Sequence, residues 1–129
     1  IGPFEWGCFG TNCSANAPFY ETGYQNTLDI VAGCSETPIP ASEALAYESA
    51  GYSYWYLPSK DELQYMCFTI GPHSTFGSGD NSGSFEYDLY WSSSESGSYY
   101  AWYVDFGSCS ARHNIYKSNP ARVRVIRAF

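Results

Sequence analysis

Apolar residues recur at helical spacing through the first half of the chain. In residues 25–33, Leu28 and Val31 lie on one helical face, and Gly33 stands where a helix is expected to end. Residues 41–50 carry Ala and Leu at the same helical spacing. The pattern therefore predicts a short helix in each of these two segments.

A third helix is predicted from its first residue. Ser59 to Glu62 reads Ser-Lys-Asp-Glu, the capping box in which two side chains bond the free backbone N–H groups at a helix start. The neighbouring acids Asp61 and Glu62 are therefore expected to be cap and dipole groups and not an acid–base pair. Apolar residues then recur every three or four positions before Gly71-Pro72 ends the run; they are Leu63, Met66, Cys67 and Ile70.

The second half of the chain follows a different pattern. Residues 71–88 are rich in Gly and Ser without an apolar period, which predicts a long loop. Beyond this loop apolar residues alternate with period two, as along a strand with one buried face. The alternation puts Trp102, Val104 and Phe106 on one inward face. The predicted strands are Phe4–Trp6, 89–92, 101–106 and 122–129.

Helices followed by antiparallel strands predict an α+β domain, with the helices packed on a small antiparallel sheet and long loops between the elements. The 129 residues contain no internal repeat and no linker, so one domain is expected. In the terminal strand the alternation places Arg127 on the same inward face as Val123 and Val125. A buried guanidinium needs a partner, and Asp61 or Glu62 is predicted to provide it.

Tyrosine is the unusual component of the sequence. Aromatic residues make up 19% of the chain, and 13 of them are Tyr. Tyrosine combines a large apolar face with a polar tip and is common on recognition surfaces. It also fills small β-rich cores with its hydroxyl at the rim. Both interpretations remain open from composition alone.

The formal net charge of −7 argues against binding to a nucleic-acid backbone. Five of the six cations follow the last acid, Asp105; they are Arg112, Lys117, Arg122, Arg124 and Arg127. Acidic helices packed against a basic final strand explain this division more simply than an anion-binding site. No apolar run is long enough to predict a membrane-spanning segment.

The chain has five cysteines: Cys8, Cys13, Cys34, Cys67 and Cys109. None forms a C-x-x-C pair, so neither a zinc ribbon nor a thioredoxin-like motif is expected. The odd number leaves at least one thiol without a partner in the chain. We predict a Cys8–Cys34 disulfide, because both residues follow Gly at the edges of scaffold segments, and a free Cys109.

Catalytic motifs are absent from the sequence. The two histidines, His73 and His113, fall in loop-like segments, and no zinc-protease, nucleophile-elbow or phosphate-loop motif occurs. Cys67 lies on the apolar side of its helix, which favours a core or disulfide position over a nucleophile. Asp80 and Asn81 could offer oxygen ligands to calcium, but a solvated loop is favoured. We expect neither enzyme activity nor a metal or cofactor.

Several motifs together resemble the C-terminal domain of the legionella collagen-like proteins, a branch of the C-type-lectin-fold proteins. They are FEWGC at 4–8, GYQNTLDIVAGC at 23–34, GYSYWYLPSKDEL at 51–63, YWSSSE at 90–95, AWYVDFG at 101–107 and RVRVIRAF at 122–129. The resemblance implies a C-type-lectin-like fold whose two termini meet in one sheet. It also implies a ligand face on the later strands and loops.

The sequence departs from the wider fold family at two points. The Glu-Pro-Asn and Trp-Asn-Asp motifs of calcium-dependent sugar-binding lectins are missing, so calcium-dependent carbohydrate recognition does not carry over. The paired cysteines of the similarly folded sulfatase-activating enzymes are not recognisable either, and fold similarity alone does not imply their activity.

A narrower resemblance concerns residues 96–121, which we interpret as a variable region between a scaffold, residues 1–95, and the terminal strand. Variable proteins of diversity-generating retroelements share this fold and a similar ending, and in them AAC codons become any NNC codon. That codon set excludes Lys, Glu, Gln, Met and Trp, which occur in the segment only as Trp102 and Lys117. An isolated Cys109 also fits a random NNC codon.

The resemblance predicts a receptor-recognition domain from a phage, virus or microbe, acting outside the cell, on a cell surface or on a virion. Its partner would be a protein or a glycan on a target cell, with no nucleic acid and no membrane insertion. An alternative is a bacterial adhesin of fixed specificity that binds polysaccharide through Arg112, Lys117 and nearby Tyr residues. The predicted ligand-binding residues are Ser98, Tyr99, Tyr100, Tyr103, Asp105, Ser108, Ser110, Arg112, His113, Asn114, Tyr116, Ser118 and Asn119.

Accessibility should separate this face from the scaffold. The aromatic residues expected to be mostly buried are Trp55, Trp91, Trp102 and Phe106. Those expected to be accessible in one contiguous patch are Tyr99, Tyr100, Tyr103, Arg112, His113 and Tyr116.

Overall fold

The computed structural model describes residues 3–72 and 81–128. Its architecture is mixed α/β, with three helices and small antiparallel sheets. In chain order the elements are β1 (Phe4–Glu5), α1 (Gly23–Gly33), α2 (Pro40–Ala46), α3 (Lys60–Thr69), β2 (Leu89–Glu95), β3 (Ala101–Asp105), β4 (Ser110–Arg112) and β5 (Pro120–Ala121). Within the described ranges no helix has the length and apolar character needed to cross a bilayer.

The predicted capping box at α3 is confirmed. The Glu62 N–H donates to the Ser59 hydroxyl at 3.4 Å, and the Ser59 N–H donates to the Glu62 carboxylate at 2.9 Å. Leu63 and Cys67, one helical turn apart, are the buried residues of this helix. The cap therefore fixes where α3 begins, and the side that carries Leu63 and Cys67 faces the sheet.

Helix α1 forms where it was predicted, but it buries a different face. Val31 is exposed and Leu28 is half-buried, whereas Asn26 and Thr27 are buried together with Ile30. These polar side chains tolerate burial because both are hydrogen-bonded. Asn26 donates to the Ala17 carbonyl at 2.6 Å, and the Thr27 hydroxyl accepts the Leu57 N–H at 3.0 Å.

Two antiparallel sheets organise the rest of the fold. The larger has the order β2-β3-β4, and Tyr103 in its central strand pairs with Trp91 on one side and Arg112 on the other. The smaller joins β1 to β5 through Phe4 and Ala121. The early and late parts of the chain therefore meet in one sheet, as the family resemblance implied.

The predicted terminal strand at 122–129 is mostly wrong. As far as residue 128, where the described part of the chain ends, the backbone after β5 makes only isolated bridges, from Arg122 to Tyr90 and from Ile126 to Tyr56. The segment passes from one neighbour to the next and never runs along a single partner. Its alternation nevertheless holds, because Val123 and Val125 are buried against Leu57 and Ala44.

Arg127 was wrongly predicted to be buried and paired with an acid. It is half-buried, its Nε donates to the Ser53 carbonyl at 3.2 Å, and its guanidinium lies 4.4 Å from the Tyr52 ring centroid. The two candidate acids have other partners. Asp61 pairs with Lys60 at 3.1 Å, and Glu62 forms the helix cap.

The larger sheet is buried on both faces. One face packs against Trp6 and Ile30, and the other packs under α3 against Leu63 and Phe85. Residues along β3 therefore point alternately into two cores. Of the four aromatic residues predicted to be buried, Trp91 and Phe106 are fully buried, whereas Trp55 and Trp102 are only half-buried.

Candidate functional site

Four aromatic side chains form an exposed cluster, which we call the aromatic patch: Phe9, Tyr99, Tyr100 and Tyr116. The Phe9 ring lies edge-on to Tyr99 at 5.0 Å and to Tyr116 at 5.3 Å, and Tyr100 stacks on Tyr116 at 5.1 Å between centroids. Phe9, Tyr99 and Tyr116 remain 48%, 50% and 49% exposed. A hydrogen bond to Tyr116 raises the pKa of Tyr100 above its ordinary value.

Backbone hydrogen bonds hold the aromatic patch together. The Gly10 N–H donates to the Ser98 carbonyl at 2.9 Å, and the Lys117 N–H donates to the Tyr99 carbonyl at 2.9 Å. A bridge between Tyr100 and Tyr116 adds a further link. Gly10 has φ +95°, a conformation that glycine adopts without strain. Three separate chain segments are thus fixed beneath rings that largely face solvent.

A buried ion pair underlies the patch. The Lys117 Nζ lies 2.5 Å from a Glu95 carboxylate oxygen, and the two side chains are 0% and 1% exposed. Lys117 also donates to the Thr11 carbonyl at 2.9 Å and lies 4.6 Å from the Trp6 ring centroid. Glu95 in turn accepts the Cys13 N–H at 2.8 Å. These partners satisfy both charges, as burial requires.

This ion pair removes Lys117 from the set of possible ligand-binding cations. Its ammonium group is enclosed, so the adhesin alternative retains only Arg112 of its two proposed cations. The pair also ties Tyr116, through its neighbour Lys117, to the segment that carries Phe9. Lys117 is therefore a structural residue within the predicted variable region.

A second group of predicted residues surrounds Trp102. Arg112, His113 and Asn114 are exposed and line a shallow cleft of about 400 Å³ together with Trp102. The His113 ring lies 4.3 Å from the Trp102 ring between centroids, and the Lys60 ammonium lies 4.9 Å from the same ring. The cleft therefore combines an aromatic floor with basic and amide groups at its rim.

Tyr103 was wrongly predicted to be accessible. It is only 5% exposed, because the face of β3 opposite Val104 is covered by the core around Trp91. Its ring lies 6.3 Å from Trp91, and its hydroxyl donates to the Asn114 side chain. Tyr103 therefore supports the cleft around Trp102 from within and does not itself offer a contact surface.

A disulfide links the turn between β3 and β4 to α3. Cys109 forms a disulfide with Cys67, so the prediction of a free Cys109 is wrong. Cys67 points into the core beside Leu63, which is where the turn passes. Gln64, one helical position away from Leu63, also donates to the Cys109 carbonyl at 2.9 Å. Cys109 is therefore part of the scaffold.

The predicted Cys8–Cys34 disulfide is confirmed, and the free cysteine is the buried Cys13. Burial raises the pKa of the Cys13 thiol, and the nearby Glu95 carboxylate raises it further. A raised thiol pKa disfavours the thiolate that a nucleophile or a metal ligand requires.

Three of the predicted ligand-binding residues help to form the β3–β4 turn. The Asp105 carboxylate accepts the Gly107 N–H at 2.8 Å, and the Ser108 hydroxyl donates to the Ser110 hydroxyl at 3.0 Å. Such contacts use polar groups that a ligand would otherwise engage. These residues are thus less available for binding than their sequence context indicated.

The structure divides the predicted ligand-binding set by accessibility. Only Tyr103 is buried, and four residues are half-buried: Ser98, Tyr100, Asp105 and Ser110. The exposed residues are Tyr99, Ser108, Arg112, His113, Asn114, Tyr116, Ser118 and Asn119. Sequence reasoning missed Phe9, although an aromatic residue in a Gly-rich loop between two cysteines was a usable sign. It also missed Lys60 beside Trp102.

The described residues contain one group of potential metal ligands, and its members lie close together because two of them form a disulfide. Cys8, Cys34 and Glu36 lie close together, but both sulfurs are bonded to each other, and Glu36 accepts the Cys8 N–H at 2.9 Å. In the loop considered for calcium, the Asn81 side chain both donates to and accepts from the Phe85 backbone. Asp80 and His73 lie outside the described residues.

Comparison with known families accounts for nearly the whole chain. The family model of the Lcl C-terminal domain matches residues 5–127, which confirms the resemblance to the C-terminal domain of the legionella collagen-like proteins. No curated protein and no solved structure matches the chain. The mixed α/β architecture is thus established, and its C-type-lectin-like character stays a prediction.

Proposed function

Because the chain belongs to the Lcl C-terminal domain family, we propose that it is a non-enzymatic, C-type-lectin-like domain that binds a protein or glycan on a target cell through the aromatic patch. The observation that carries the proposal is the patch itself. Its four aromatic residues come from three chain segments, which backbone hydrogen bonds and a buried ion pair hold in place. A preorganised aromatic surface loses little side-chain entropy when it binds.

The cleft around Trp102 offers similar surface chemistry. Arg112 and His113 provide donors beside an aromatic floor, and the Tyr103 hydroxyl orients Asn114 from below. The link through Tyr103 connects this cleft to the strand that follows Tyr99 and Tyr100. Aromatic area with a few polar groups at its rim is the composition of many recognition surfaces.

The fine specificity of the domain is proposed to vary between members through retroelement diversification. Two residues of 96–121 cannot be encoded by NNC codons, and both would be constant: Lys117 is buried, and Trp102 is the half-buried floor of the cleft. Every exposed residue type in the segment belongs to the NNC set. Cys109 is bonded to Cys67 and is not a freely variable position, so diversification would concern the exposed positions only.

An extracellular, cell-surface or virion location fits this function. Two intrachain disulfides persist best in an oxidising environment. The absence of enzyme activity, of cofactor dependence, of nucleic-acid binding and of membrane insertion belongs to the same proposal. The raised pKa of the buried Cys13 thiol argues against a cysteine nucleophile, and the net charge of −7 argues against nucleic-acid binding.

The decisive experiment compares binding of the purified chain and its variants to glycan arrays and to panels of microbial cells. Tyr99→Ser with Tyr116→Ser should lower binding to any recognised target by about tenfold or more, since aromatic anchors dominate such interfaces. Tyr65→Ser, a change of the same kind at an exposed tyrosine outside the patch, is the matched control. Equal binding by the double variant and the control would contradict the proposal.

A further inference from the structure

A second concave site is lined entirely by residues outside the variable region. Its volume is about 450 Å³, and its walls are Glu21, Tyr24, Tyr54, Tyr56 and Glu62, with Ala128 at one edge. None of these residues belongs to the aromatic patch or to the cleft around Trp102. We call it the tyrosine–glutamate cleft.

Three tyrosines form the aromatic walls of this cleft. The Tyr24 and Tyr56 rings meet edge to face, with centroids 5.7 Å apart and planes at 78°. Tyr56 is buried, whereas Tyr24 and Tyr54 are 40% and 72% exposed. Tyr54 has φ +65°, a strained conformation for a bulky residue. Paired backbone hydrogen bonds between Tyr56 and Ile126 hold the chain just beyond it.

Two carboxylates border the same rings. Glu62 is fixed in place because it accepts the Ser59 N–H at 2.9 Å and the Glu21 N–H at 3.2 Å. Burial raises the pKa of Tyr56, and the negative charges of Glu62 and Glu21 raise it further. Both acids therefore act on the inner wall of the cleft.

These carboxylates lack a cation in the cleft. Among residues 3–72 and 81–128, no Lys, Arg or His lines its walls. The nearest cations in sequence are engaged elsewhere, Lys60 with Asp61 and Trp102, and Arg127 with Ser53 and Tyr52. The cleft is thus a concave, tyrosine-walled site whose two carboxylates face no cationic side chain among its lining residues.

We propose that the tyrosine–glutamate cleft binds an organic cation, an ammonium or guanidinium group. Tyrosine faces attract such groups through the negative charge of the ring face, and the attraction grows as water is excluded. The two carboxylates add a direct Coulombic contribution and hydrogen-bond acceptors. A neutral ligand of the same shape would use the rings but would bring no positive charge to the two carboxylates.

The cation could belong to a free small molecule or to a basic side chain of a protein, and a nuclear magnetic resonance titration of the whole chain distinguishes these sources. The probes are tetramethylammonium, N-acetyl-arginine methylamide, an arginine-containing tripeptide amide and the neutral N-acetyl-citrulline methylamide. Binding of either cationic class at a Kd on the order of 1 mM, with at least tenfold weaker binding of citrulline, is expected. Binding of the arginine probes indicates a side-chain source, and binding of tetramethylammonium alone indicates a small molecule.

Two variants test the walls directly. Tyr54→Gly removes one ring and relieves the positive φ, and Glu21→Gln removes one charge while keeping the shape. Each should weaken binding of the cationic probe about three- to fivefold, the effect of losing roughly 1 kcal/mol. Tyr65→Ala and Glu48→Gln, which alter exposed residues outside the cleft, should leave binding unchanged.

The proposal is overturned if citrulline binds as well as arginine, if no cationic probe binds, or if the two cleft variants bind like their controls. Loss of target-cell binding through Tyr99→Ser with Tyr116→Ser would not affect these measurements, because the two sites share no residue.

Discussion

Apart from Phe9, the aromatic patch and the β3–β4 turn both lie within residues 96–121, yet they are held in place in different ways. Backbone hydrogen bonds and the buried Lys117–Glu95 pair hold the patch, and its rings point away from these contacts. The turn has backbone hydrogen bonds too, but it is also held through its own side chains, by the Cys67–Cys109 disulfide and the Asp105 hydrogen bond. Side chains that hold no backbone in place can be exchanged, so the patch is the better position for variable recognition.

The largest expected effect comes from breaking the support beneath the patch. Lys117→Ala leaves the Glu95 carboxylate buried without its cation and should lower the free energy of unfolding by about 3–5 kcal/mol. Chemical denaturation followed by tryptophan fluorescence measures the change. Arg112→Ala, at an exposed cation of the same region, should change it by less than about 0.5 kcal/mol. Similar values for the two variants would mean that the patch does not depend on the ion pair.

A somewhat smaller loss of stability is expected when the disulfide between the turn and α3 is removed. Replacing Cys67 and Cys109 together by Ser should cost about 2–4 kcal/mol in unfolding free energy, because the cross-link restricts the unfolded chain. Calorimetry of the oxidised proteins provides the comparison, with Cys13→Ser as the variant that leaves both disulfides intact. Peptide mapping that finds a free thiol at Cys109 would show that the Cys67–Cys109 disulfide does not form.

Exchange of exposed and half-buried side chains of the variable region should cost little stability but most of the binding. In a display library, NNC codons replace Ser98, Tyr99, Tyr100, His113, Asn114 and Tyr116, with Tyr103 kept constant because it is buried. Single changes should alter stability by roughly 0.5–1.5 kcal/mol where ring contacts are lost and less elsewhere. Folded expression and target binding are scored separately. Misfolding of most members would show that the patch is structural.

The smallest effect concerns an exposed ion pair outside both regions. The Leu89 N–H and Arg122 hold the pKa of Asp88 below its ordinary value. A depressed carboxyl pKa stabilises the fold above the unfolded-state pKa, and that stabilisation is lost as the pH falls through the folded-state pKa. The melting temperature of the native chain should therefore fall slightly more than that of Asp88→Asn between neutral and acidic pH. Salt should reduce the difference, and identical pH profiles would rule out a contribution from the pair.

The sequence predicted the parts of the fold that depend on local chemistry. The α3 cap follows from four consecutive residues. The pairing of β1 with β5, late in the chain, is not local and was implied by the family resemblance. The exposure of Tyr103 was mispredicted because period-two alternation assumes one solvent-facing side, whereas β3 is a central strand between two cores. A local pattern cannot reveal how many faces of a sheet are covered.

The candidate site was predictable only in part for a related reason. Tyr99 and Tyr116 lie in the region that the resemblance indicated. Phe9 joins them from about 90 residues away, because the Gly10 N–H bonds to the Ser98 carbonyl. The burial of Lys117 depends on Glu95, and the bond at Cys109 depends on Cys67, 42 positions earlier. Such long-range partners decide whether a polar residue is a ligand contact or a structural one.

The enclosed Cys13 thiol makes the support beneath the aromatic patch open to kinetic measurement. Its N–H bonds to Glu95, and it follows directly the segment that carries Phe9 and Thr11. An alkylating reagent can reach this sulfur only when the structure around it opens, so the modification rate reports that local opening. A ligand that bridges Phe9 and Tyr99 must slow the labelling, and it would do so without any added chromophore or tag.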